Sequence, residues 1–177
     1  MRTLGYILLL SLTVILNAGS ADNPADVSPT MPTNRLPNDL FLDIGTDPTA
    51  HRRMGSGWGP AECDWIDRTY SWITGMEADI WLLINDPQRD QDCWITASPF
   101  PVYRRQQNFG LFANNRFVAE WTCPTNRAFQ DYHAIIPAAW LVTGTNRLTL
   151  RVGHLGRAPN DPRELALSVD KILLRPR

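Results

Sequence analysis

The sequence has little excess charge of either sign and almost no lysine. Its 177 residues include 17 basic and 18 acidic side chains, and Lys171 is the single lysine. Binding to nucleic acid or to an anionic membrane surface depends on clustered positive charge. The balance gives no electrostatic basis for either, so no nucleic-acid partner is predicted. The preference for arginine over lysine is typical of a GC-rich bacterial genome.

Motifs that carry catalytic or metal-binding chemistry are also scarce. The glycine-rich run at residues 55–59 (GSGWG) lacks the spacing of a Gly-x-Ser-x-Gly nucleophile motif. His51, His133 and His154 stand far apart in the sequence, without the nearby cysteines or acids of a metal-ligand set. No catalytic residue, metal or cofactor is therefore predicted.

One pair of carboxylates, Glu62 and Asp161, is the candidate for the two acids of a glycoside hydrolase. Their separation in sequence does not show whether they meet in space. A structural ion pair between Glu62 and Arg163 is favoured over a catalytic role. An enzyme is therefore less favoured than a binding protein.

The N-terminus has the pattern of a secretory signal peptide, residues 1–21. Arg2 supplies a positive charge, and residues 6–16 (YILLLSLTVIL) form an apolar run of eleven. Gly19 and Ala21 fit a cleavage site after Ala21. The run is shorter than the about 20 apolar residues that span a bilayer, and no cysteine follows it as in a lipoprotein. We expect an exported protein, periplasmic or secreted, with no membrane insertion after cleavage.

After cleavage the chain divides once, into a spacer and a domain. Residues 22–38 hold four prolines and few large apolar side chains. Such a segment cannot bury enough surface to offset the entropy of ordering it, so it is interpreted as a proline-rich spacer. Residues 39–177 suit one domain with a single core.

The domain has the short apolar alternations of β-strands and no convincing helical periodicity. In residues 77–84 (EADIWLLI), every second side chain is apolar, which predicts one buried face. A hairpin is predicted at Asn114 and Asn115, because asparagine tolerates the positive φ of a tight primed turn. In residues 164–174 the alternation of apolar side chains shifts by one residue near Asp170, which indicates a β-bulge or a short turn. The set of seven or eight strands predicts an all-β fold, an antiparallel β-sandwich. The other predicted strands cover residues 68–74, 93–98, 107–123, 132–137, 146–152 and 164–174.

Several short motifs occur in a recognisable order along residues 40–176. They include G-W-G-x-x-E (57–62), Y-x-W-x-x-G-x-x-A (70–78), A-x-P-F (97–100), N-x-R-x-V-A-x-W (114–121) and D-x-R-x-L-x-L-x-V (161–169). In this order they resemble the galactose-binding-like jelly-roll domains that accompany bacterial envelope glycosyltransferases and polysaccharide-assembly proteins. The resemblance implies a jelly-roll topology, a cell-envelope setting and a glycan or envelope polysaccharide as partner. Asn115 stands where the motif has glycine.

The jelly-roll topology that the resemblance implies also predicts a disulfide. Successive antiparallel strands alternate in direction, so the strands at 68–74 and 93–98 start at the same end of the sandwich. Cys63 precedes the first strand and Cys93 opens the second, whereas Cys123 closes a strand at the opposite end. Bridged cysteines need Cα atoms within about 7 Å of each other. Cys63–Cys93 is therefore the expected pair in an oxidising compartment, with Cys123 buried or joined to another molecule.

Seven tryptophans favour a binding function, because flat aromatic faces stack on sugar rings. Trp72, Trp94 and Trp121 follow the strand period and are interpreted mainly as packing residues. Trp81 lies opposite the apolar face of its strand, and Trp58 sits in a glycine-rich stretch that no packing explains. The predicted ligand-binding residues are Trp58, Glu62, Trp65, Trp81, Asp161 and Arg163.

Three functions stay open, in order of preference. The first is an exported, non-catalytic carbohydrate-binding or polysaccharide-assembly accessory domain of the cell envelope. In it, residues 57–65 form the ligand-binding loop and residues 70–75 are structural. The second is an exported β-sandwich that docks on a partner protein through exposed aromatic side chains. The third is a small glycan-active enzyme that uses Glu62 and Asp161.

The processing site gives the first testable prediction. Because small residues follow a short apolar run, the signal peptidase is expected to cut after Ala21. Mass spectrometry of the periplasmic or secreted product should then find Asp22 at the N-terminus. Recovery of the chain in a membrane fraction with Met1 intact would contradict export by this route.

Overall fold

The computed structural model describes residues 29–101, 105–126 and 128–177. The predicted signal peptide (1–21) and the start of the spacer lie outside the described residues. Helix is confined to short elements, and no helix in the described ranges is long and apolar enough to cross a membrane. The elements in chain order are β1 (Leu40–Asp43), α1 (Pro48–His51), β2 (Trp58–Cys63), β3 (Thr69–Ile73), β4 (Glu77–Ile84), β5 (Gln91–Pro99), β6 (Asn108–Ala113), β7 (Arg116–Thr122), β8 (Gln130–Ile136), a 3-10 turn (Ala138–Trp140), β9 (Gly144–Val152) and β10 (Leu167–Pro176).

Two antiparallel sheets form the fold, and their strand pairs are nested. The larger sheet has the order β2-β3-β10-β5-β8, with β1 also paired to β10, and the smaller sheet has the order β4-β9-β6-β7. From β3 to β10 the first strand pairs with the last, the second with the next to last, and so on inward to the β6–β7 hairpin. This nesting is the connectivity of an eight-stranded jelly roll. The predicted all-β antiparallel sandwich is confirmed.

The core lies between the two sheets and is built by alternation along each strand. On β4, Ala78, Ile80 and Leu82 are 0–1% exposed, as the sequence predicts. Leu148 and Leu150 of β9 lie beside them on the same face. Each buried Leu or Ile side chain contributes about 1.5–3 kcal/mol relative to exposure. This face therefore determines which side of the sheet meets solvent.

The β6–β7 hairpin has the turn that the two asparagines predict. Asn114 and Asn115 have φ of 48° and 67°. The Asn114 side chain also anchors the turn, because its Nδ2 donates to Trp140 O (2.9 Å) and to Asn146 Oδ1 (2.8 Å). Its Oδ1 accepts from the backbone N–H of Arg147 (2.9 Å).

The predicted phase slip near Asp170 is a β-bulge. Val169 and Lys171 of β10 pair with neighbouring residues of β5, and Asp170 between them has no partner on that strand. Its carbonyl instead accepts from the backbone N–H of Ile44 (2.8 Å). The bulge thus lets one residue of β10 bond to the chain after β1.

Two strands, β1 and β2, were not predicted from the sequence. β2 contains Gly59 and Pro60, which usually interrupt strands. It is the outermost strand of the larger sheet, where proline is tolerated, and its pairing with β3 shifts register between Trp58 and Ala61. The stretch at 57–65, predicted to be a loop, is therefore mostly an edge strand.

The end of the predicted spacer lies against the larger sheet. In residues 29–38, Met31 is 5% exposed, and its backbone N–H donates to Asp131 Oδ2 (2.7 Å). The Arg175 guanidinium donates to the carbonyl of Asn34 (2.8 Å). One buried apolar side chain and these polar contacts thus join the segment to the sheet, which composition alone did not indicate.

All three cysteines are free thiols, and the predicted Cys63–Cys93 disulfide is wrong for this fold. Cys63 ends β2 and Cys93 lies on β5, in the same sheet but with β3 and β10 between them. Three strand spacings of about 4.8 Å exceed the about 7 Å that a disulfide tolerates. Two strands can start at the same end of a sandwich and still be separated laterally by the strands between them. Cys63 is exposed, Cys93 and Cys123 are buried, and burial raises the pKa of the Cys93 thiol to about 12.

The β6–β7 turn gives a test of backbone strain. Asn115→Gly is expected to stabilise the domain by up to about 1 kcal/mol, because glycine adopts positive φ at no steric cost. Asn114→Gly is the matched control, since it relieves the same strain but removes three side-chain hydrogen bonds. It is expected to cost about 1–2 kcal/mol. Urea unfolding measures both, and a stabilising Asn114→Gly would contradict the anchoring role.

Candidate functional site

An aromatic groove lies on the outer face of the larger sheet. On β3, Ser71 and Ile73 are fully buried toward the core. Because side chains alternate along a strand, Tyr70 and Trp72 project to the outer face. β3 therefore places two large rings on a surface that faces away from the core.

Four aromatic rings form a continuous row in this groove. The Trp72 ring meets Tyr70 and Phe100 edge-on, with centroids 5.6 Å and 5.7 Å apart. Phe129 continues the row at 5.8 Å from Tyr70. Such contacts stabilise the rings relative to one another, so the row is largely formed before any ligand arrives.

The loop between β2 and β3 forms part of the rim. Asp64 Oδ1 accepts from the backbone N–H groups of Ile66 (3.0 Å) and Arg68 (2.9 Å). Asp67 has a φ of 62°, which tightens the turn. The loop projects Trp65 into solvent, where its side chain is 93% exposed. A large apolar ring is thus displayed beside the groove without a packing role.

The groove has a volume of about 800 Å³. Ser98 and Ser168 lie at its base, where the Ser168 hydroxyl donates to the Ser98 carbonyl (3.0 Å). Residues 157–159 contribute another part of the wall. Volumes of about 300–1,000 Å³ are typical of ligand sites, so the groove is large enough for a small organic molecule or a short oligomer.

An ion-pair network stands beside the groove. Arg163 donates to both oxygens of Asp161 (2.6–3.1 Å) and to Glu62 Oε1 (2.5 Å). The other Glu62 oxygen accepts from Trp72 Nε1 (3.1 Å). The network ties the segment before β10 to β2, and it holds the edge of the Trp72 indole. The favoured interpretation of Glu62 as an ion-pair partner of Arg163 agrees with this geometry.

The two carboxylates considered for glycoside hydrolysis are both held by that guanidinium. Hydrogen bonding from Arg163 lowers the pKa of Asp161 to about 2. A general acid must hold a proton near the working pH, so Asp161 is unsuited to that role. Within the described part of the chain, no group of three or more His, Cys, Asp or Glu residues is arranged to hold a metal ion.

Trp58 lies away from the groove, and core packing explains its position, contrary to the sequence interpretation. It opens β2, packs against the core, and donates through Nε1 to the carbonyl of Asp79 (2.8 Å). Gly57 has a φ of 88°, and a Cβ there would lie 1.8 Å from Glu77 O. The glycine therefore permits close approach to β4 and serves packing, not ligand access.

Trp81 lies on the outer face of the smaller sheet, on the other side of the sandwich. Its ring is 43% exposed, and the guanidinium of Arg147 lies 5.8 Å from its centroid. Arg147 itself makes a two-fold hydrogen-bonded pair with Asp79 (2.9 and 2.8 Å). Trp81 and the groove therefore cannot contact the same small ligand.

The six predicted ligand-binding residues are thus not brought together at one site. Trp65 lines the groove, a network of three residues stands beside it, and Trp58 and Trp81 lie elsewhere. Trp72, interpreted mainly as a packing residue, lines the groove instead, together with Tyr70. The groove residues that the sequence analysis missed are Arg68, Tyr70, Trp72, Phe100 and Phe129.

The remaining two strand tryptophans differ from each other. Trp121 packs against Phe109 (5.0 Å between centroids), as expected. Trp94 lies on the outer face of the larger sheet, with its ring 4.1 Å from that of His133. The period-two signal that reveals a strand is present for all of these residues, but it does not say which face is the core.

Comparisons with known proteins assign no family to this chain. No family profile and no curated protein sequence matches it. Solved structures with partial similarity include the GH26-CBM35 beta-(1,4)-mannanase of Podospora anserina, with 15% identity over 78% of this chain and 28% of that chain and a TM-score of 0.49. They also include the C-terminal CBM6 of LamC, a laminarinase of Zobellia galactanivorans (10% identity, 77% and 98% covered, TM-score 0.48). A third is the CBM36-1 domain of a multidomain xylanase from the hindgut metagenome of Trinervitermes trinervoides (8% identity, 79% and 98% covered, TM-score 0.49).

Trp58 and Trp65 differ in burial, which gives a stability test. Trp58→Ala is expected to lower the free energy of unfolding by about 2–4 kcal/mol, because it removes core packing and a hydrogen bond to Asp79. Trp65→Ala is expected to change it by less than about 0.5 kcal/mol, as for most surface substitutions. Urea unfolding followed by circular dichroism compares them. A similar loss of unfolding free energy in both variants would mean that the loop at residues 64–68 stabilises the fold.

Proposed function

We propose that this protein is an exported, non-catalytic carbohydrate-binding domain whose ligand occupies the aromatic groove. The observation that carries the proposal is a row of four rings in contact, with a fifth ring, Trp65, exposed on the rim of a cavity of about 800 Å³. Aromatic faces in a concave site stack on the C–H faces of sugar rings and bury apolar surface.

Polar groups beside the rings suit the hydroxyls of a saccharide. Arg68 and Arg157 bring guanidinium donors to the lining, and Asp64 brings a carboxylate acceptor. A few fixed polar groups orient a ligand whose rings rest on aromatic faces. Because Glu62 already holds the indole of Trp72, less side-chain entropy is lost when the ligand binds.

Export and a cell-envelope setting belong to the same proposal. The apolar run at residues 6–16 and the small residues behind it support export to the periplasm or the medium. The order of motifs along residues 40–176, which resembles domains beside envelope glycosyltransferases, supports a role with envelope polysaccharide. A binding domain placed there meets its ligand without crossing a membrane.

Docking on a partner protein is the second candidate function, and one observation favours it. The outer part of the smaller sheet exposes Trp81, Leu83 and Phe117 by 43%, 54% and 53%. Trp81 and Leu83 lie on the edge strand β4 and Phe117 on the opposite edge strand β7, and exposed apolar side chains on one face are typical of interaction surfaces. The two candidate functions therefore use opposite sides of the sandwich, which makes them separable by mutation.

Paired tryptophan substitutions test the proposed function. A glycan array with the mature protein identifies a saccharide, and isothermal titration calorimetry measures its affinity. Trp65→Ala is expected to weaken binding at least about tenfold, equivalent to about 1.4 kcal/mol, because a stacking face is lost. Trp81→Ala is the matched control, an exposed tryptophan on the other sheet, and should leave affinity within about twofold.

Two outcomes would count against the proposed function. Affinity that falls with Trp81→Ala but not with Trp65→Ala would place the ligand on the smaller sheet. Release of reducing sugar from the bound saccharide, lost in Glu62→Gln, would indicate hydrolysis by the glycan-active alternative.

A further inference from the structure

The lining of the groove carries more positive than negative charge. It contains two arginines, Arg68 and Arg157, and one acid, Asp64. Two acids of the network beside it, Glu62 and Asp161, are both paired with Arg163, and Asp131 and Asp170 line a separate pocket on the other side of Arg68 and Phe129. The whole chain has nearly balanced charge, so this local excess is a property of the groove.

Arg68 is held in place but is not neutralised. Its guanidinium carbon lies 4.6 Å from the centroid of the Phe129 ring, and its side chain is half-buried. In residues 29–101, 105–126 and 128–177, no carboxylate lies within ion-pair distance of it. Asp170, on the neighbouring β10 strand, exerts some attraction on Arg68 but pairs with Lys171 (3.5 Å).

The two other charged side chains of the lining, Arg157 and Asp64, are engaged differently from Arg68. Arg157 pairs only loosely with Glu164 (3.8 Å), and both side chains are more than half exposed. Exposed pairs of this kind contribute little, so Arg157 is free to turn to a bound anion. Asp64 uses one carboxylate oxygen to accept two backbone N–H groups of its own loop.

We infer that the groove takes an acidic saccharide, whose carboxylate is bound by Arg68 while a sugar ring stacks on the aromatic row. The inference rests on the proposed function and narrows its ligand class. A planar guanidinium binds a carboxylate through two parallel N–H···O hydrogen bonds. The contact with the Phe129 ring restricts the orientation of the Arg68 guanidinium before the ligand arrives. A neutral sugar in the same place would bury the Arg68 guanidinium further without a charged partner. Burying an unpaired charge is unfavourable, so a neutral sugar is expected to bind less tightly.

Matched pairs of saccharides test the inference. The acidic probes are oligogalacturonates, oligoglucuronates and any acidic saccharide that binds on the array. Each is compared with the same oligomer whose carboxylates have been reduced to alcohols. The acidic member is expected to bind at least about tenfold more tightly at low salt. This preference should shrink as ionic strength rises from about 0.05 to about 0.5 M, because salt screens the charge pair.

Arginine substitutions locate the preference within the groove. Arg68→Gln is expected to remove at least about tenfold of the affinity for the acidic member and less than about twofold for the reduced member. Arg68→Lys should restore only part of it, since an ammonium cannot form the two-fold pair. Arg89→Gln makes the same charge change on an exposed arginine beside Leu174, at the other end of β10, and should have no effect. Arg157→Gln, at an exposed position that cannot disturb folding, should give a smaller loss for the acidic member alone.

The results separate the inference from the function on which it rests. Trp65-dependent binding of a neutral saccharide, unaffected by Arg68→Gln, would overturn the acidic ligand and leave the carbohydrate-binding function intact. Failure of every acidic and neutral saccharide to bind would overturn both. A preference for the acidic member that survives both Arg68→Gln and Arg157→Gln would also overturn the assignment to this groove.

Discussion

The guanidinium of Arg163 lies between the carboxylates of Asp161 and Glu62, and the groove depends on this bridge. Asp161 belongs to the segment before β10, whereas Glu62 belongs to the edge strand β2. Without a shared cation these two acids would repel each other. With it, Glu62 is left with one oxygen for the indole N–H of Trp72. An interaction between charges at the edge of the sheet thus orients an apolar surface on its face.

Nested strand pairing brings the groove residues together from distant parts of the sequence. β3 supplies Tyr70 and Trp72, and its pairing with β10 places Ser168 opposite Trp72. The chain after β5 supplies Phe100, and the chain before β8 supplies Phe129. Because β3, β10, β5 and β8 are consecutive in the larger sheet, these segments share one outer face. The topology, more than any local motif, creates the candidate site.

The alternation along the strands shows why fold and site differ in how well the sequence predicts them. In β4 one face is apolar throughout, whereas the other begins with Glu77 and Asp79, so its strand and its buried side were both predictable. In β3, apolar or aromatic side chains occupy both faces, and the pattern does not tell Ile73 from Trp72. The choice is made by pairing with β10, which is roughly 100 residues away in the chain. Pro60 and Gly59 hid β2 because the local rule against them is relaxed at a sheet edge. The Arg68–Phe129 contact has no local signal at all.

The three thiols occupy very different environments, and this makes the groove experimentally accessible. Cys93 and Cys123 are buried between the sheets, whereas Cys63 is exposed where β2 ends and the Trp65 loop begins. A maleimide dye added to the reduced, folded protein therefore attaches at one position. That position immediately precedes the rim of the groove, so a ligand in the groove would lie close to the dye. The native sequence already contains one accessible attachment point for a fluorescent dye. Ligand screening by fluorescence therefore needs no engineered cysteine.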